Sequence, residues 1–175
     1  PGAEAAGVIC ELGDAVDGWR IGDRVIVSGA YGAFAEKVVR NSNELVALPD
    51  RLDFATGAGF LAAYGTAYFA LKQRAALQAG EKLLVLGAAG GVGLAAVDLG
   101  VAMGAHVMAA ASNEVKLDVA SRAGAAERVN YTDDDLKTRV KALTDGRGVD
   151  VVFDPVGGPY SEAALRATGW NGRFL

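Results

Sequence analysis

The chain has 175 residues, 51% hydrophobic and 22% charged, with a formal net charge of −4, an ordinary globular balance whose acidic excess leaves no basic footprint for nucleic acid or an anionic membrane. A single cysteine, Cys10, excludes an internal disulfide and makes a secreted disulfide scaffold a poor description. No run reaches the roughly 18 consecutive apolar residues of a membrane helix, and the opening Pro1-Gly2-Ala3-Glu4 lacks the basic and apolar regions of a signal peptide, so a cytoplasmic location is expected.

Taken in chain order, residues 6–12, 24–27 and 34–39 each give a short strand pattern. Glycine-containing turns such as Gly13-Asp14 and Gly22-Asp23 separate them, which points to a β-rich barrel or roll. Pro49-Asp50 marks a boundary, because the residue before a proline avoids helical geometry. From 54 to 71, Phe60, Leu61, Tyr64, Tyr68 and Leu71 recur at three- and four-residue steps and predict a joining helix. That spacing assigns Tyr64 and Tyr68 to core packing.

Residues 83–86 are a continuous apolar run, the pattern of a buried parallel strand. The run enters Gly87-Ala88-Ala89-Gly90-Gly91-Val92-Gly93, and an alanine-rich helix is predicted over 94–103. Gly90 and Gly93 have the spacing of the last two glycines of G-x-G-x-x-G, with Ala88 in the first place. Gly90 would let a backbone approach a pyrophosphate, and Gly93 would let helix and strand pack closely. A strand, a glycine turn and a helix N-terminus make an anion cradle, so Ala89, Gly90, Gly91, Val92 and Gly93 are candidate dinucleotide-binding residues. The alternative is a tight turn of any α/β protein. A bulky β-branched residue at Gly91 or Gly93 is expected to abolish nucleotide binding while leaving the protein folded. Further strands are predicted at 106–111 and 149–153. Helices are predicted over 113–123, with Val115, Leu117 and Val119 on its apolar side and Gly124 as its stop, and over 133–143. Residues 172–175 have the look of another strand opening. Strands alternating with helices predict an α/β fold with a parallel sheet.

In this order, Pro1-Gly2-Ala3-Glu4, Gly22-Asp23-Arg24-Val25, Gly32-Ala33-Phe34-Ala35-Glu36, Thr66-Ala67-Tyr68, the glycine turn and Asp154-Pro155-Val156-Gly157-Gly158 resemble the medium-chain dehydrogenase/reductase superfamily. Within it the chain is most similar to the zinc-independent, zeta-crystallin-like quinone oxidoreductases. The resemblance runs from Pro1 to Leu175. It implies a fragment of a GroES-like catalytic domain over 1–52 and a Rossmann-type doubly wound dinucleotide-binding domain over 53–175, incomplete at its C-terminus. It also implies that this is a piece of a longer protein, inactive alone, whose catalytic groups lie largely outside it; no catalytic residue is named. Zinc enzymes of the superfamily have Gly-His-Glu where Gly2-Ala3-Glu4 stands. Ala3 cannot ligate, Cys10 is alone, and His106, the one histidine, heads a strand without clustered partners. No metal is expected.

NAD-selective Rossmann sites carry a carboxylate at the end of the second strand; here that position is Ala111. Ser112 and Asn113 follow as neutral hydrogen-bonding groups, and Lys116 one helical turn on offers a positive charge. The resemblance places Ser112 and Lys116 at a 2′-phosphate, Tyr131 at the adenosine end, and Thr66, Val156 and Gly157 near a nicotinamide, so NADPH is the expected cofactor. Simpler roles stand beside these: a solvated helix charge for Lys116, strand-edge packing for Tyr131, a hydroxyl bonded back to its own helix for Thr66. Glu114 is an acidic neighbour, but in the helix rather than at the strand end. The implied activity is NADPH-dependent, zinc-independent hydride transfer to a quinone or α,β-unsaturated carbonyl, in a homodimer. An enoyl-thioester reductase, including a polyketide synthase module, is an alternative on the same scaffold. A non-catalytic NADPH-binding or crystallin-like structural protein is another.

Overall fold

The computed structural model describes residues 1–28 and 31–175. The chain forms two compact units, Pro1–Ala62 and Ala63–Leu175. In the first, β1 (Glu4–Val8), β2 (Arg24–Ser28) and β3 (Leu45–Ala47) make an antiparallel sheet in that order. Val25, Ile26, Val27 and Leu48 supply its buried residues. Arg24 ties the chain after β3 back to the sheet, its guanidinium donating to the carbonyls of Asp50 at 3.0 Å and Leu52 at 2.6 Å. The short helix α1 (Phe54–Ala58) begins where Asp53 accepts from the Thr56 N–H at 2.6 Å, a side-chain N-cap. Gly57 lets it approach the sheet: a Cβ there would lie 2.8 Å from a Leu48 methyl and 3.2 Å from the Ala6 Cβ.

The predicted strand over 34–39 is not formed. Phe34 and Val39 are 81% and 93% exposed, and no strand among the described residues pairs with the segment, so the alternation has no surface to pack on. β1 ends at Val8 rather than at residue 12, after which Ile9 only exchanges isolated bonds with Asp23 and Gly22. β3 carries no alternating signal of its own. The helix expected over 54–71 is interrupted at Gly59, the C-cap of α1. It resumes as α2 (Phe60–Tyr68) and ends in a π-helical turn over Phe69–Arg74.

The second unit is a five-stranded parallel sheet of order β6-β5-β4-β7-β8. The strands are β4 (Lys82–Leu86), β5 (His106–Ala111), β6 (Glu127–Asn130), β7 (Val149–Phe153) and β8 (Thr168–Phe174), alternating with helices α3 (Gly91–Ala102), α4 (Glu114–Arg122), α5 (Leu136–Leu143) and α6 (Pro159–Ala167). Period-two alternation splits β4 between two cores. Leu83 and Val85 pack with Leu71, Ala96 and Leu117 on one face, while Leu84 and Leu86 pack with Leu136, Val140 and Ala164 on the other. Helices therefore cover both faces, the doubly wound Rossmann arrangement. Strands buried on both sides are the ones that read as unbroken apolar runs.

α3 starts at Gly91, three residues before the predicted start, so the glycines themselves form its first turn. α5 starts later than predicted. Asp135 is its N-cap, accepting from the Thr138 N–H at 2.7 Å, while Asp133 accepts from the Asn130 amide at 2.7 Å. On α4, Leu117 and Ala120 are buried, whereas Val115 is 75% exposed and lies off the apolar side. Tyr64 packs partly buried against the core and donates to Asp98 at 2.9 Å, but Tyr68 is half-exposed rather than packed.

Arg173 on β8 staples the start of the sheet, donating to both oxygens of Glu81 (2.9 and 2.6 Å) and to the Ala75 carbonyl (3.0 Å). The Arg173 guanidinium holds the Glu81 carboxyl below its ordinary value of 4.5. The unfolded chain therefore takes up this proton at a higher pH than the folded one. The pair's contribution is present above the ordinary value and is lost as pH falls through the lowered one. Glu81→Gln is expected to lower the melting temperature at pH 7 and to flatten its decline below pH ~4.5. Parallel acid-melting curves for the variant and its parent would disprove this.

Candidate functional site

The chain leaving β4 reverses at Gly87, whose φ of +58° is left-handed and suits glycine. A Cβ there would also lie 2.7 Å from Cγ2 of Val156. Ala88 follows with its methyl fully buried and its N–H donating to the Ala110 carbonyl at 3.1 Å. Alanine serves in the motif's first place because the left-handed residue is the one before it. Gly90 is the N-cap of α3 and contributes no side-chain acceptor, so the first-turn N–H groups are left to an incoming anion. The remaining glycines differ in kind. A Cβ on Gly93 would sit 2.2 Å from the Gly87 carbonyl oxygen, whereas one on Gly91 would meet nothing within 4 Å. Gly93 is required by backbone packing, and Gly91 faces open space. This corrects the expectation that both positions tolerate a bulky residue in a folded protein: only Gly91 has room.

A cleft of about 370 Å³ opens at the carboxyl ends of the strands, where open α/β sheets take ligands. It brings together Ala89, Gly90, Gly91, Val92, Gly93, Lys116, Tyr131 and Val156 from the expected set, and adds Gly87, Ala111 and Pro155. Thr66, Ser112, Asn113 and Gly157 do not line it. Thr66 is exposed on α2. Ser112 stands just behind the wall, where its hydroxyl accepts from Lys116 Nζ at 2.8 Å and also bonds Tyr131. Asn113 is the N-cap of α4, its side-chain oxygen accepting from the Lys116 N–H at 3.0 Å. It thus fixes the turn that carries the lysine. The Gly157 N–H is held by Asp154 at 2.8 Å.

Ala111 closes β5 with a buried methyl, so the cleft has no carboxylate at that strand end. The acidic neighbour Glu114 is engaged elsewhere. Arg128 donates to it at 2.5 Å and to Asp118 at 2.9 Å, and the Asn130 amide reaches it at 3.4 Å. Tyr131 stacks obliquely on Tyr160, ring centroids 4.2 Å apart. Burial, then the neighbouring Tyr160, pushes its hydroxyl above the ordinary value of 10.0, so it is neutral at physiological pH. An uncapped helix start, an open glycine face, and a lysine–serine pair beside a methyl fit a dinucleotide bearing an extra phosphate. Among the described residues, no group of three or more His, Cys, Asp or Glu is placed to hold a metal ion, and no helix is long and apolar enough to cross a membrane.

This geometry defines a Rossmann-type α/β domain. The zinc-binding dehydrogenase family model matches residues 91–175, and the alcohol dehydrogenase GroES-like domain model matches residues 1–67. The chain is 41% identical over 177 residues to the quinone oxidoreductase-like protein 2 homolog of Nematostella vectensis, covering 100% of this chain and 48% of that protein. It superposes on the Escherichia coli quinone oxidoreductase complexed with NADPH with a TM-score of 0.92 and 32% identity, covering 99% of this chain and 53% of the other. The CurK enoyl reductase gives a TM-score of 0.91 and 31% identity, covering 98% and 52%. The chain spans about half the length of the curated relatives it matches. It belongs to the medium-chain dehydrogenase/reductase superfamily, in its quinone oxidoreductase-like group, with a GroES-like N-terminal part followed by a Rossmann-type domain.

Proposed function

We propose that this chain supplies the NADPH-binding part of a zinc-independent oxidoreductase that reduces quinones or α,β-unsaturated carbonyls. The observation that carries the proposal is the Lys116–Ser112 pair beside the methyl of Ala111, with Glu114 held by Arg128. Lys116 and Ser112 would hold the 2′-phosphate, the first turn of α3 the diphosphate, and Tyr131 the adenosine end. Pro155 and Val156 would bound the other half of the nucleotide. Bound NADPH would supply the hydride; the chain binds it, orients it and shields one side of it from water. The proposal takes residues 1–52 as catalytic-domain sequence and 53–175 as the nucleotide domain, in a cytoplasmic homodimer. Raised melting temperature with NADPH, and a smaller rise with equimolar NADH, is the expected result. A larger rise with NADH overturns the cofactor assignment.

The likeness to the CurK enoyl reductase favours a second reading, an enoyl-thioester substrate on the same cleft. A panel of quinones, enones and enoyl thioesters separates the two by kcat/KM. Zinc-independence rests on Ala3, which has no ligating atom, and on the exposed, solitary Cys10. NADPH-dependent reduction by the full-length protein is expected to survive exhaustive chelation unchanged. Stoichiometric zinc whose removal abolishes activity would refute this.

A further inference from the structure

We infer that Asp154 is a positioning residue for the nicotinamide half of the dinucleotide, an inference that rests on the NADPH reading above. One carboxylate gathers three donors. Its Oδ1 accepts from the N–H groups of Val156 at 3.0 Å and Gly157 at 2.8 Å, and its Oδ2 accepts from the Ser161 hydroxyl at 2.5 Å. The first two bonds fold the chain leaving β7 back on itself. The third fastens that fold to the first turn of α6. Asp154 is itself fixed, since its own N–H donates to the Leu175 carbonyl at 3.0 Å.

The consequence appears at Val156. Its Cγ2 sits 2.7 Å from where a Gly87 Cβ would be, so the side chain closes directly on the phosphate turn. Yet Val156 is 44% exposed, and burial gives it little reason to stay there. Asp154 sets its place through the backbone. The two N–H groups that Asp154 engages are satisfied within the turn, so Val156 meets a ligand as an apolar wall.

Topology assigns this wall to one end of the cleft. β4, which carries the phosphate turn, lies between β5 and β7. Lys116, Ser112 and Tyr131 follow β5 and β6 on one side, whereas Pro155 and Val156 follow β7 on the other. A dinucleotide with its 2′-phosphate at Lys116 and its diphosphate at the start of α3 must extend its second nucleoside over Val156. Asp154 therefore governs one half of the ligand and not the other.

The test is titration calorimetry of the 175-residue chain with two probes. One is NADPH; the other is 2′,5′-ADP, which keeps the adenosine and 2′-phosphate but has no nicotinamide half. Asp154→Ala is expected to weaken NADPH about tenfold, the scale of one charge-assisted hydrogen bond, while 2′,5′-ADP changes by less than about twofold, as for an independent site. Asp154→Asn keeps an oxygen for both N–H groups and turns the Ser161 hydroxyl into an acceptor, so it should recover most of the loss. Ser161→Ala removes only the anchor, and should cost NADPH about threefold by the scale of a neutral bond; it carries the test if Asp154→Ala fails to fold. Equal losses for both probes, or no loss for either, overturn the positioning role. A parent chain that binds NADPH no better than NADH, or fails to bind 2′,5′-ADP, overturns the underlying cofactor reading instead.

Discussion

Lys116→Ala is expected to weaken NADPH binding by roughly ten- to a hundredfold and to leave NADH almost unchanged. A charge-assisted contact to phosphate contributes about 1.5–3 kcal/mol, which converts to that range of affinity. The ammonium is poised for it. Asn113 caps the turn that bears Lys116, and the Ser112 hydroxyl holds Nζ at 2.8 Å beside the cleft. Neither contact is to a carboxylate, so the charge is not already neutralised within its own turn. NADH has no 2′-phosphate and should not register the loss. Ala111→Asp should act in the opposite direction, since it puts a carboxylate at the strand end where ribose-binding acids stand in NAD-selective sites. Dissociation constants for both cofactors at matched ionic strength decide the matter. Equal losses of NADPH and NADH in the lysine variant would remove Lys116 from the 2′-phosphate site.

Valine at the two neighbouring glycines should separate folding from binding. Gly93→Val drives a Cβ to 2.2 Å from the Gly87 carbonyl oxygen and 2.8 Å from its carbon. Both are backbone atoms, so the turn itself must move. The expected result is a loss of about 3 kcal/mol or more, at the upper end of overpacking, seen as a melting temperature lowered by several degrees or as an insoluble protein. Gly91→Val meets nothing within 4 Å, and valine is no worse a helix former than glycine. It should melt like the parent and fail to bind NADPH, because its methyls fill the face that a diphosphate would approach. A Gly91 variant that binds normally would show that the diphosphate does not lie there, and a Gly93 variant of full stability would contradict the packing argument.

The elements that could be read from the sequence are those whose reason is local. β4 and β5 read as apolar runs because both their faces are covered, with only Lys82 and the exposed His106 at their starts; β7 is apolar apart from Asp150, and the glycine turn between β4 and α3 carries its own spacing. The N-terminal region is less legible, because an antiparallel sheet signals through alternation, and residues 34–39 alternate without a strand to join. β6 was hidden because Glu127 and Arg128 occupy half of it. Arg128 there serves Glu114 and Asp118, residues near in space only through the register of β6 on β5. The same applies at the site. Lys116, Tyr131 and Val156 carried a recognisable chemical type in a recognisable place. Asp154 is visible in the sequence only as one residue of the Asp154–Gly158 motif, with no role of its own, and although the spacing marks Gly93 as the packing glycine, nothing local shows that Gly91 faces open space.

The central place of β4 has a kinetic corollary. β4 meets β5 after one crossover helix, but meets β7 only after α3, α4 and α5 have all been laid down. Closing the longer loop costs more chain entropy before any contact rewards it. The glycine turn and the lysine pocket should therefore assemble while the β7 wall is still unformed, giving a half-built nucleotide cradle on the way to the native state. Pulse-labelled hydrogen exchange during refolding would show it as early protection at Met108 and Ala110 and later protection at Val151 and Val152. Simultaneous protection at all four would mean that the sheet closes in one concerted step.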